Sequence, residues 1–73
     1  MASLPVLSGL EVVRTFESFG WQVSRQSGSH MILTREGATV TLSIPKHKEV
    51  ARGTLRSLIR AANLTVDEFV AAI

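Results

Sequence analysis

Seventy-three residues suffice for one domain, residues 1–73, with a small core, and the absence of cysteine excludes disulfides and cysteine-ligated zinc as reinforcement. Eight Lys and Arg against six Asp and Glu leave a net charge of +2, so the placement of the charge matters more than its sum. Met1 to Ser8 holds neither a basic stretch nor an apolar run of signal-peptide or membrane-span length, which predicts an unexported, cytoplasmic protein with no membrane partner.

The first element is a helix. Ser8 and Glu11 have the spacing of a capping box, in which two side chains satisfy free amides at a helix start. Leu10, Val13 and Phe16 then recur at helical spacing, with Val12 and Phe19 beside the stripe. Gly20 can take the left-handed conformation that closes a helix, so the spacing predicts one over about 9–19. Three strands follow. Trp21 and Val23 alternate with Gln22 and Ser24, and Ser27-Gly28-Ser29 reads as a turn. Residues 30–35 form a middle strand, but Met31, Ile32 and Leu33 are all apolar and do not reveal which face is buried. After a tight turn at Glu36-Gly37, Ala38, Val40, Leu42 and Ile44 alternate with Thr39, Thr41 and Ser43, the clearest period-two run in the chain. Pro45 has no amide to give a ladder and should end that strand.

A basic loop reaches Gly53, and a second helix follows it. Leu55, Leu58, Ile59 and Ala62 make its core stripe, and Asn63 can close it in the left-handed conformation. Thr65 and Glu68 form a second capping box, with Leu64 and Phe69 placed as a hydrophobic staple for a short helix over about 66–72. The predicted fold is α+β: an α-β-β-β-α sandwich like the double-stranded-RNA-binding domain, with a short extra C-terminal helix.

Chemistry concentrates at two places. His30 follows Gly28 and Ser29 at a turn-to-strand junction, where a side chain can be both exposed and rigidly placed. Imidazole exchanges protons readily near neutral pH, which RNA cleavage requires: the 2′-hydroxyl must lose a proton and the leaving 5′-oxygen must gain one. The alternative is a strand-end histidine with an ordinary structural hydrogen bond. The second place is basic, since five of the eight bases fall between Lys46 and Arg60. In Pro45-Lys46-His47-Lys48 the lysines can hold phosphate as point charges, and His47 can carry a proton or donate to phosphate. Arg52, Arg56 and Arg60 recur every fourth residue, roughly 6 Å apart along a helix, and should border a sheet edge. A merely solvated basic face is the alternative, with Glu49 able to pair with Arg52. Arg25 and Arg35 rank below these. No carboxylate cluster accompanies the two histidines, so neither a metal nor a small-molecule cofactor is expected.

Gly28-Ser29-His30 opening a strand, a strand ending at Pro45 with His47 two residues on, Gly53-Thr54-Leu55-Arg56 opening a helix, and Ala61-Ala62-Asn63-Leu64-Thr65 leading to Glu68-Phe69 together resemble HicA-type toxins over about residues 10–69. That resemblance implies a toxin of a type II toxin–antitoxin pair, a stress-response endoribonuclease that cleaves mRNA without a metal. It implies His30 as the catalytic residue and a HicB-type antitoxin covering the site, which would account for a hydrophobic content of 45%. The rival readings are a non-catalytic RNA-binding module and a protein-interaction subunit.

Overall fold

The computed structural model describes residues 3–73. Met1 and Ala2, which open the segment read as carrying no export signal, lie outside the described residues. The element order is α1 (Gly9–Glu17), β1 (Gln22–Ser27), β2 (His30–Thr34), β3 (Leu42–Pro45), α2 (Arg52–Ala61) and α3 (Val66–Ala71). The three strands form one antiparallel sheet in the order β1-β2-β3, and the helices bury their apolar faces with one side of it in a common core. This is the α+β arrangement read from the sequence.

Local chemistry explains the helix ends. Both capping boxes form: the Ser8 hydroxyl accepts from the Glu11 amide and the Glu11 carboxylate accepts from the Ser8 amide, with Thr65 and Glu68 repeating the pattern. Helix α1 closes through Gly20 at φ +93°, with the Trp21 amide donating to the Phe16 carbonyl and the Gly20 amide to that of Glu17. Asn63 does the same for α2 at φ +61°, where Leu64 donates to Ile59 and Asn63 to Arg60. These are Schellman closures, in which one left-handed residue lets two amides turn back onto the last carbonyls.

Several expectations need correction. The regular part of α1 stops at Glu17, and Leu10 is exposed, because the buried face runs through Gly9, Val12, Val13, Thr15 and Phe16. Helix α2 begins at Arg52, so Gly53 lies inside its first turn instead of before it. The long alternating run yields strand only from Leu42: β2 offers partners for four residues, His30–Leu33 against Leu42–Pro45, and residues 38–41 lie beyond them, exposed. Trp21 is buried but precedes β1, and every residue of β1 is exposed.

The face of the middle strand is settled. Met31 and Leu33 are buried against the helices, across from Ile44 and Leu42, so His30, Ile32 and Thr34 point to the opposite side. The helices leave that side bare: His30, Thr34 and Ser43 are exposed and Ile32 is half-buried.

Candidate nucleic-acid interface

The hairpin turn between β1 and β2 fixes His30. Gly28, at φ +59°, and Ser29 are its two central residues, and Ser27 pairs with His30 across the turn. Glycine first with positive φ is the arrangement of a type II′ turn, whose twist matches that of the flanking strands. His30 is the first residue of β2, in register between Ser27 on one side and Pro45 on the other, so its backbone is held while its ring stands in solvent. No hydrogen bond or ion pair ties the imidazole to another described residue. A strand-end histidine kept for an ordinary structural bond is therefore not what the geometry displays.

The lysine loop approaches from the other edge. The Lys46 amide donates to the Ser29 carbonyl at 2.7 Å, which seats Lys46 beside the Gly28-Ser29 turn. Two further bonds fix the loop to the N-terminal segment: the Gly9 amide donates to His47 O at 2.9 Å, and the Val50 amide to Leu7 O at 2.8 Å. Lys46, His47 and Lys48 are all exposed. The packing is close enough to dictate residue 9: a Cβ there would collide with the Pro45 carbonyl oxygen and meet Lys46 Cα at 3.1 Å.

The arginine row is a separate feature. Arg52, Arg56 and Arg60 are exposed along α2, a helix on the buried side of the sheet, and no ion pair joins Arg52 to Glu49 among the described residues. Arg56 and Arg60 border a shallow groove of about 260 Å³ with Ile59, Leu64 and Val66, next to the link into α3. The structure thus brings the main chain of Lys46 to the Ser29 carbonyl, next to His30.

Arg25 ranked low in the sequence, and the fold adds its position. Register places it opposite Ile32, on the same bare face as His30, whereas Arg35 follows the far end of β2 beside Gly20. Alternation alone would have grouped Arg25 with Trp21 and Val23, and only the register irregularity between Val23 and Arg25 separates them. Among the described residues no group of three or more His, Asp or Glu is placed to hold a metal ion. No helix is long and apolar enough to cross a membrane.

The family model for the HicA toxin of bacterial toxin–antitoxin systems matches residues 9–64, from the first residue of α1 through both central turns to the closure of α2. The chain belongs to the HicA toxin family. No match was found among curated proteins. The HicA match spans the Gly28-Ser29-His30 turn, the Lys46 loop and the arginine row in one continuous segment. Membership carries with it a toxin role and an antitoxin as counterpart.

Proposed function

We propose that the chain, residues 1–73, acts as one cytoplasmic domain that cleaves mRNA without a metal, with His30 as general acid or base. The observation that carries this reading is an exposed imidazole on a rigid turn-to-strand junction, with Lys46 tied to the adjacent Ser29 carbonyl at 2.7 Å. In the reaction the 2′-oxygen attacks the neighbouring phosphorus and the bond to the 5′-oxygen breaks. One proton leaves the 2′-hydroxyl and one is delivered to the departing oxygen, and an imidazole can serve either transfer. DNA has no 2′-hydroxyl, so the chemistry selects RNA.

Lys46 is the cation best seated to stabilise charge gathering on the phosphate, and Lys48 and His47 extend the contact along the loop. Arg52, Arg56 and Arg60 hold more distant phosphates of a longer RNA. A HicB-type antitoxin neutralises the toxin by covering the His30 face.

Expression of the protein and of His30→Ala without antitoxin tests the proposal. The parent should arrest growth and deplete mRNA, and the variant should do neither while accumulating as folded protein. Equal arrest by both removes His30 from the chemistry, and RNA that is shifted on a gel but left uncut by the parent identifies a binding module instead.

A further inference from the structure

Along β1 the residues Trp21, Val23, Arg25 and Ser27 share one parity, and an unbroken strand would turn all four side chains to the same face. The observed register does otherwise. Val23 pairs with Leu33, a core residue, while Arg25 pairs with Ile32 and Ser27 with His30, both on the bare face. Ser24 is the extra residue between them, a bulge whose hydroxyl donates to the Ile32 carbonyl at 3.2 Å. One inserted residue reverses the phase of everything beyond it. The bulge thus lets the start of the hairpin feed the core with Trp21 and its tip present Arg25 and Ser27 beside His30.

Arg25 stands diagonally across from His30, a spacing of about 7–8 Å between strand positions that a long side chain readily spans. It is exposed, and no ion pair to a described carboxylate occupies it. Lys46 lies on the other flank of His30, reached through the Pro45 pairing and the Ser29 carbonyl.

The geometry points to Arg25 as a phosphate-binding residue of the RNA site, brought beside His30 by the Ser24 bulge. This rests on the RNA reading above. An RNA strand laid across the three β-strands has one phosphate at His30 and a neighbouring one on the Arg25 guanidinium, whose planar fork suits two phosphate oxygens.

The test is made in the His30→Ala protein, so that binding is measured without cleavage, using a short single-stranded RNA at several salt concentrations. Arg25→Ala should weaken binding about tenfold and lower the salt slope by about 0.7, the share of one phosphate contact on a single strand. The paired exchange Arg25→Gln with Gln26→Arg keeps composition and net charge but moves the guanidinium to the other side of the strand, and it should bind as weakly as Arg25→Ala. Both positions are exposed, and a circular-dichroism melt checks that each variant is folded. If the exchanged protein binds like its parent, the charge acts only through the general field and the Arg25 assignment is overturned. No RNA binding by the His30→Ala protein itself overturns the RNA reading, and this inference with it.

Discussion

Gly9 shows how one missing methyl group shapes the site. Its amide donates to His47 O, and the Pro45 carbonyl sits where its Cβ would be. Gly9→Ala should therefore destabilise the protein by about 1–3 kcal/mol, the usual cost of forcing an atom into filled space. A urea melt measures this, and an unchanged midpoint would contradict so close an approach. Two residues on, the Glu11 carboxylate is held below its ordinary range, first by the Ser8 amide that donates to it, then by the Ser8 hydroxyl, with a smaller contribution from Arg14. A lowered carboxylate pKa means the folded state binds its proton less readily than the unfolded state. The capping contribution is thus complete above the ordinary carboxylate range and is lost as pH falls through the lowered value. Glu11→Gln should flatten that acid limb of the stability profile.

At the scale of the elements, much was written locally. Ser8, Glu11, Thr65 and Glu68 announce helix starts because a capping box closes within four residues, and Gly20 and Asn63 announce ends because few residues accept positive φ. What depends on a distant partner was not legible. Ala38 to Thr41 alternate like a strand, yet β2 ends at Thr34 and leaves them without a ladder. The Ser24 bulge depends on which β2 carbonyl lies opposite, so Arg25 could not be assigned a face from sequence. The place of His30 at a turn-to-strand junction was legible because its turn is local, whereas the Lys46–Ser29 bond beside it was not. Helix α2 yields a prediction of its own. Its start has no side-chain cap, and Gly53 lies in its first turn with open space where a Cβ would go. Gly53→Ala should stabilise the protein by up to about 1 kcal/mol through reduced freedom of the unfolded chain. A higher melting temperature without change in RNA binding is the expected result.

The whole molecule rests on a core centred on Trp21, Phe16, Phe69 and Leu33, with the Phe16 and Phe69 rings 5.0 Å apart and tilted by 56°. A chain of 73 residues buries a modest share of its unfolded surface, so its margin is small. A partner that binds only the folded toxin adds to that margin by mass action, about 2.7 kcal/mol at a hundredfold excess over Kd. The antitoxin complex should accordingly melt well above the free toxin in calorimetry, and equal melting temperatures would show that no such partner engages the folded chain. The backbone bonds from Gly9 to His47 and from Val50 to Leu7 clamp the lysine loop at two points. An arriving polyanion thus meets ammonium groups whose main chain has already surrendered its freedom during folding. The entropy of ordering the loop is then not charged against association with the RNA proposed above, a flexible strand that must itself be straightened.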